Sequence, residues 1–100
     1  MSSEPLWVEL AVLRTALEVL LTHVEGAVGR ATAIDHDYFW SIPPDELYDM
    51  DRPPTGLTIG QLSECLDHLR RIADDPENAI GYSLVWAAEV LRAIGTAAAG

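Results

Sequence analysis

The residues best suited to chemistry lie in one acidic and aromatic stretch, between Asp35 and Pro54. It opens with Asp35-His36-Asp37, whose carboxylates and imidazole could transfer protons or ligate a metal ion. Neighbouring residues point in different directions, so a metal site would need a further ligand from elsewhere in the chain: His23, His68 or Asp49. The alternative is that one of the two aspartates caps a turn and that His36 makes an ordinary hydrogen bond.

A nucleophile is harder to place, because Cys65 is the single cysteine and falls on an apolar helix face. A reactive thiol needs an exposed, cationic setting, whereas this position predicts a small core residue. The sequence contains no glycine-rich phosphate loop, no paired-cysteine motif and no zinc-protease or serine-hydrolase motif. It therefore predicts no catalytic residue, no metal site and no cofactor, and it favours a non-enzymatic function.

The charge of the chain restricts its partners. The net charge is −10 over 100 residues, and all 6 basic residues are arginine. Such a field repels nucleic acids and anionic membranes and attracts basic proteins. The lone cysteine requires no oxidising compartment, the N-terminus lacks a basic signal region, and no apolar run reaches the roughly 20 residues of a membrane span. The expected location is the bacterial cytoplasm.

Three helices are predicted to position the acidic stretch. The first spans residues 5–28, with Ser3 as its N-cap and Gly29 at its end. A heptad-spaced apolar seam runs along it: Leu6, Leu10, Leu13, Leu17, Leu20 and Val24. A second stripe contains Val8, Val12 and Val19. Two stripes mean either that the helix is central among its neighbours or that one stripe meets a second subunit.

The second helix is predicted to begin near Thr58. Thr58 and Gln61 have the spacing of a capping box, and Leu57 and Leu62 have that of a hydrophobic staple. This helix is expected to end before Pro76. The third helix is predicted over residues 77–94, where apolar residues repeat the seam spacing and Gly95 stops the helix.

The connection between the first two helices, residues 30–57, is predicted to be long but structured. The proline pairs at 43–44 and 53–54 force extended backbone before them, and residues 45–48 have the pattern of one helical turn. Its aromatic side chains are expected to be covered, since an exposed cluster of that size would be sticky: Tyr38, Phe39, Trp40 and Tyr48. Trp40 is predicted to be buried and to anchor the connection on the helices.

Several short segments of the chain form a distinctive set: residues 35–40 (Asp-His-Asp-Tyr-Phe-Trp), Ile42-Pro43, residues 46–49 (Glu-Leu-Tyr-Asp), Pro54, Leu57 and residues 60–63 (Gly-Gln-Leu-Ser). In these segments the chain resembles a group of small bacterial proteins for which no activity is known. The resemblance covers about residues 34–95. It implies a single compact domain and carries no implication for chemistry.

Together these patterns predict an all-α fold with a single domain over residues 1–100. The expected architecture is a small antiparallel bundle of three main helices, with the long connection packed across one side. The favoured function is an acidic protein–protein interaction module of the immunity-protein, antitoxin or accessory-subunit type. It would present the 35–51 surface to a basic protein partner. The alternative is a small ligand-binding protein or enzyme with a pocket between the aromatic loop and the helices.

The candidate binding residues all belong to the 35–51 surface: Asp35, His36, Asp37, Tyr38, Trp40, Asp45, Glu46, Tyr48, Asp49 and Asp51. In the alternative, Tyr38, Trp40 and Tyr48 would line the pocket, with residues 35–37 supplying polar groups. A homodimer through the first or third helix is also predicted, because a three-helix bundle has few internal faces on which to bury a second apolar stripe. No nucleic-acid or membrane partner is expected.

Overall fold

The computed structural model describes residues 4–99, and within them it contains four α-helices, one 3₁₀ helix and a two-stranded antiparallel sheet. In chain order these are α1 (Leu10–Val28), β1 (Tyr38–Ser41), α2 (Pro44–Leu47), β2 (Thr58–Gln61), α3 (Leu62–Asp74), the 3₁₀ helix (Pro76–Asn78) and α4 (Ser83–Ala99). The chain divides into two compact units, residues 1–33 and residues 34–100, which are described separately.

The first unit is built around α1, which ends as predicted. Gly29 has a φ of 90°, and its N–H donates to the carbonyl of Glu25 at 2.8 Å. The helix begins at Leu10 and not at residue 5, and the predicted N-cap, Ser3, lies outside the described residues. Much of the seam is exposed, with fractions of 67% for Leu10, 44% for Leu13 and 58% for Leu20.

The second unit begins with two strands that are distant in the chain and adjacent in space. β1 and β2 pair antiparallel, with Phe39 opposite Gly60 and Trp40 opposite Ile59. Side chains alternate along a strand, so Phe39 and Gly60 share one side of the sheet, while Tyr38, Trp40 and Ile59 share the other. The side that carries Tyr38, Trp40 and Ile59 is called the outer face below.

This sheet overturns the predicted all-α fold and explains why the second long helix begins later than expected. Thr58, the predicted N-cap, lies in β2 opposite Ser41, and its hydroxyl donates to the carbonyl of Ser41 at 3.3 Å. The N-cap of α3 is Gln61, which makes no capping bond with its own side chain. A capping box requires extended backbone at its first residue, and here the extended backbone continues through a whole strand. The fold is therefore mixed α and β.

α3 and α4 pack against each other as an antiparallel pair. His68, in the middle of α3, contacts Ser83 and Trp86 near the start of α4, whereas Leu62, at the start of α3, lines the same small cavity as Ala93. Among the described residues of this unit, the buried ones are Cys65, Ser83 and Ala93. Because the unit has a small core, polar contacts between its elements contribute a larger share of its stability than they do in larger domains.

The predicted bounds of the third helix, 77–94, are wrong at both ends. Residues 76–78 form the separate 3₁₀ helix, and α4 begins only at Ser83. At its other end α4 continues through Gly95 to Ala99. Glycine costs about 1 kcal/mol inside a helix, and the alanines that follow Gly95 are the strongest helix formers, so the helix does not stop there.

The segment between the strands is a closed loop held by Glu46. Its carboxylate accepts the backbone N–H groups of Thr55 at 2.8 Å and Gly56 at 3.0 Å, and the hydroxyl of Thr55 at 3.3 Å. These bonds lower the pKa of Glu46 below its ordinary value of 4.5, and the bond from the Thr55 N–H contributes most. The predicted helical turn is confirmed as α2, with Pro44 at its start.

Gly60 provides a test of the sheet packing, because the ring of Phe39 lies directly over its α-carbon and a Cβ there would overlap the ring. We expect Gly60→Ala to lower the free energy of unfolding in urea by roughly 1–3 kcal/mol, the usual cost of overpacking. Gly95→Ala is the matched control. Apart from its two chain neighbours and the nearby backbone of its own helix, no described atom lies within 4 Å of a Cβ at position 95. That variant should gain roughly 0.5–1 kcal/mol. A Gly60→Ala protein as stable as the wild type would contradict this packing.

Candidate functional site

Asp37 is the point at which the sheet and the helix pair are joined. Its carboxylate accepts the backbone N–H of Ser63 at 2.7 Å, the hydroxyl of Ser63 at 2.9 Å and the side-chain amide of Gln61 at 2.7 Å. Its carbonyl accepts the N–H of Leu62 at 2.6 Å. The first N–H groups of a helix have no acceptor within that helix, so Asp37 caps α3 from the residue before β1.

These contacts also fix the charge of Asp37. The amide of Gln61, followed by the backbone N–H and the hydroxyl of Ser63, lowers the pKa of this carboxyl below its ordinary value of 3.8. A carboxylate at a helix N-terminus is further favoured by the helix dipole. The interpretation of an aspartate in the Asp35-His36-Asp37 run as a capping residue is therefore supported, although Asp37 caps a helix and not a turn.

Apart from Gln61, which lies opposite Tyr38 at the end of β2, the outer face of the sheet carries large, exposed side chains with apolar bodies. Tyr38, Trp40 and Ile59 expose 64%, 71% and 66% of their surfaces. The prediction that Trp40 is buried is wrong, and so is the expectation that Tyr38 and Tyr48 are covered, since Tyr48 is 82% exposed. Strand alternation explains the difference, because within the run of three aromatics in β1 only the middle residue, Phe39, turns towards the helices.

The predicted binding residues divide into two sets. Asp37, Glu46 and Asp49 are half-buried and hold backbone in place; Asp49 accepts the N–H of Asp51 at 3.0 Å and lies 3.9 Å from Arg52. The remaining seven are exposed: Asp35, His36, Tyr38, Trp40, Asp45, Tyr48 and Asp51. The carboxylates of Asp37, Glu46 and Asp49 are engaged in contacts within the chain. The acids that remain available to a partner are therefore the exposed ones: Asp35, Asp45 and Asp51.

A cleft of about 350 Å³ lies on the other side of the sheet, between the strands and the α3–α4 pair. Its lining includes Phe39, Gly60 and Cys65. It does not include Tyr38, Trp40 or Tyr48, the three residues expected to line a pocket. α3 supplies a stripe of side chains with the spacing of one helix face, formed by Glu64, His68 and Arg71. The opposite wall is formed by Tyr82, which directly precedes α4, and by Trp86 and Glu89 of α4. This volume falls within the range of small-molecule sites.

Cys65 is an inert member of the cleft. The residue is 6% exposed, and burial raises the pKa of its thiol above the ordinary value of 9.0. The charges of Glu89 and Glu64 raise that pKa further. A neutral thiol is a poor nucleophile, so the prediction of Cys65 as a small core residue is confirmed.

His68 and Ser83 have the spacing of a nucleophile and its base, with 2.7 Å between Nε2 and Oγ. A serine nucleophile must reach its substrate, yet Ser83 is 6% exposed and its Oγ also accepts the N–H of Ile80 at 3.1 Å. The imidazole packs edge-on against Trp86, with ring centroids 4.4 Å apart, and Trp86 packs in the same way against Tyr82 at 5.2 Å. The serine–histidine pair thus fixes the start of α4 and one wall of the cleft.

Two further findings concern ligands and membranes. Within residues 4–99, no group of three or more His, Cys, Asp or Glu side chains is placed to hold a metal ion. Over the same range, no helix combines the length and the apolar character needed to cross a membrane.

The chain has no significant match to a protein-family model, to a curated protein or to a solved structure. The resemblance of residues 34–95 to a group of small bacterial proteins therefore stays a prediction.

Sequence reasoning missed the cleft. His68, considered there only as a possible metal ligand, is half-buried against Trp86, whereas Glu64 and Arg71 are exposed on the same helix face. The available indication was the matching spacing of two stripes, 64/68/71 and 82/86/89, on helices that a short connection makes antiparallel. The two stripes can be matched across the helix pair only once the start of α4 at Ser83 is known.

The role of Asp37 can be tested through the pH dependence of stability. The folded-state pKa is lowered, so the stabilisation is present above the ordinary value of 3.8 and is lost as the pH falls through the folded-state pKa. We expect Asp37→Asn to unfold at lower urea concentration than the wild type above about pH 4, with the difference shrinking below that pH. Asp35→Asn, which removes an exposed charge nearby, is the control. A difference between wild type and Asp37→Asn that does not change with pH would contradict the capping role.

Proposed function

We propose that this chain is a protein–protein interaction module that binds a basic protein through the outer face of its sheet. The observation that carries the proposal is the exposure of Tyr38, Trp40 and Ile59 on one face. Trp40 and Ile59 are paired directly across the strands, so the three side chains form one patch. Exposed aromatic residues grouped in this way are typical of the centres of protein interfaces.

The charge of the chain supports a basic partner. The exposed acids Asp35, Asp45 and Asp51 flank β1 in the chain, and the net charge is −10. A partner that complements this surface would offer an apolar pocket for Trp40 within a positively charged rim. Opposite charges at the rim speed association and select against acidic competitors.

These properties suit a protein that binds and regulates another protein, such as an immunity protein, an antitoxin or an accessory subunit. The proposed location is the cytoplasm. The lone, buried Cys65 supports this location, because it is a free thiol and a reducing compartment keeps such thiols intact.

The proposal can be tested by photo-crosslinking in the native cell, with p-benzoylphenylalanine in place of Trp40. We expect a crosslinked protein of basic isoelectric point, whose purified form binds the wild-type chain. Trp40→Ala should weaken that binding by about tenfold or more, as expected for an aromatic residue at the centre of an interface. The free energy of unfolding of the Trp40→Ala variant should stay close to that of the wild type, because Trp40 is 71% exposed.

Two controls make the result decisive. The same photoreactive residue at Glu18, exposed on α1, should not capture the same protein. Asp45→Asn combined with Asp51→Asn should slow association and reduce its salt dependence. Capture of no protein at position 40, or of an acidic protein whose affinity is indifferent to Trp40→Ala, would contradict the proposal.

We further propose that two copies of the chain pair through α1. The exposed leucines of the seam, Leu10, Leu13 and Leu20, have the heptad spacing that fits an identical helix. Two-fold pairing would cover them with one self-complementary surface. At physiological salt the negative charges are screened beyond about 8 Å, so acids at the rim oppose pairing only weakly.

Sedimentation equilibrium at micromolar concentration tests the pairing. We expect a dimeric mass for the wild type and a monomeric mass for the Leu13→Glu/Leu20→Glu variant, which places charges in the seam. Val8→Glu, outside the seam and before the helix begins, is the matched control. A wild-type mass that stays monomeric at all concentrations would rule out the dimer.

A further inference from the structure

The cleft between the sheet and the α3–α4 pair contains two carboxylates that the proposed interaction surface does not use. Glu64 lies in the first turn of α3, and Glu89 lies on the part of α4 that the antiparallel arrangement brings beside it. Glu89 also lines the same small cavity as Leu62, which lies two residues before Glu64. The two carboxylates are therefore placed towards the same end of the cleft.

These carboxylates lack a cationic partner within the part of the chain that the structure describes. Over residues 4–99 the ion pairs join Asp49 to Arg52 and Asp67 to Arg70, and neither glutamate takes part. Arg71 also lines the cleft, but it follows Glu64 by about two helical turns, or roughly 10 Å along the axis. The cleft is thus negative at one end and positive at the other.

Aromatic side chains also line the cleft. The rings of Tyr82 and Trp86 meet edge to face at 5.2 Å, and Phe39 lies on the sheet side. The face of an aromatic ring attracts organic cations, and carboxylates accept short hydrogen bonds from guanidinium and ammonium groups. A metal ion fits less well, since within residues 4–99 no three suitable ligands come together.

We propose that this cleft binds a small organic cation. Its guanidinium or ammonium group lies between Glu64 and Glu89, and its carbon chain lies against Trp86 and Tyr82. A volume of about 350 Å³ accommodates such a group together with a short chain. Arg71 repels the charged head and so fixes the direction in which the ligand lies. Ile59 borders both this cleft and the outer face, whereas Tyr38 and Trp40 do not line the cleft.

Calorimetric titration with n-butylguanidinium tests the proposal, and n-butylurea serves as its neutral analogue of the same shape. We expect saturable, one-site binding of the guanidinium compound and no binding of the urea. Glu64→Gln/Glu89→Gln should weaken binding by about tenfold or more, because it removes the charge-assisted hydrogen bonds. Glu18→Gln/Glu25→Gln makes the same change of charge on α1 and should leave the affinity unchanged.

Arg71→Gln is the sharpest variant, because it is expected to strengthen binding severalfold by removing a repulsive charge. A variant that merely misfolds cannot produce this gain. Equal affinities for the guanidinium and the urea, no saturable binding of n-butylguanidinium, or weaker binding by Arg71→Gln would each overturn the proposal.

The source of the cation can be distinguished in the same experiment with the peptide acetyl-Gly-Arg-Gly-amide. Tighter binding of the peptide than of n-butylguanidinium would assign the cleft to an arginine side chain of a protein. Tighter binding of n-butylguanidinium would assign it to a free solute, and either result supports a site for an organic cation.

Discussion

The second unit of this protein depends on the hydrogen bonds that converge on Asp37. One carboxylate and one carbonyl satisfy the first N–H groups of α3 and also fix the side chain of Gln61 at the end of β2. Hydrogen bonds to an ionised acceptor are stronger than neutral ones. Since the described part of the unit buries so little apolar surface, this charged junction is what sets the strands against the helix pair.

Both proposed binding surfaces depend on that junction. β1 begins at the residue after Asp37, so the junction decides which side chains face outward and which face the helices. Trp40 and Tyr38 are thereby left on the outer face, while Phe39 covers Gly60 and closes one side of the cleft. A shift of β1 by one residue would exchange the two sides. The exposed aromatic patch of the outer face and the cleft are therefore consequences of one register.

Local patterns in the sequence predicted individual elements better than their arrangement. The end of α1 at Gly29, the turn after Pro43 and the end of α3 before Pro76 follow from glycine and proline chemistry and are confirmed. The strands were missed because each has only four residues, and because Thr58 and Gln61 imitate a capping box. Such short strands form through pairing with a distant partner, which no local window contains.

The same limit applies to the candidate site. Acid-rich composition identified the region from Asp35 to Asp51, but it could not separate the acids that hold the backbone from those that face solvent. That distinction depends on acceptors and donors far apart in the chain, such as Glu46 with Thr55 and Asp37 with Ser63. The cleft was beyond prediction for the same reason, since it requires the antiparallel pairing of α3 with α4 and the packing of Phe39 over Gly60.

Native-state hydrogen exchange at the start of α3 tests the central role of Asp37 most directly. First-turn amides of a helix normally exchange freely, because they have no acceptor within the helix. The structure predicts slow exchange for the amides of Leu62 and Ser63, which donate to Asp37, and fast exchange for the neighbouring amide of Glu64. In Asp37→Ala the amides of Leu62 and Ser63 should exchange faster. Free exchange of both amides in the wild type would contradict the account.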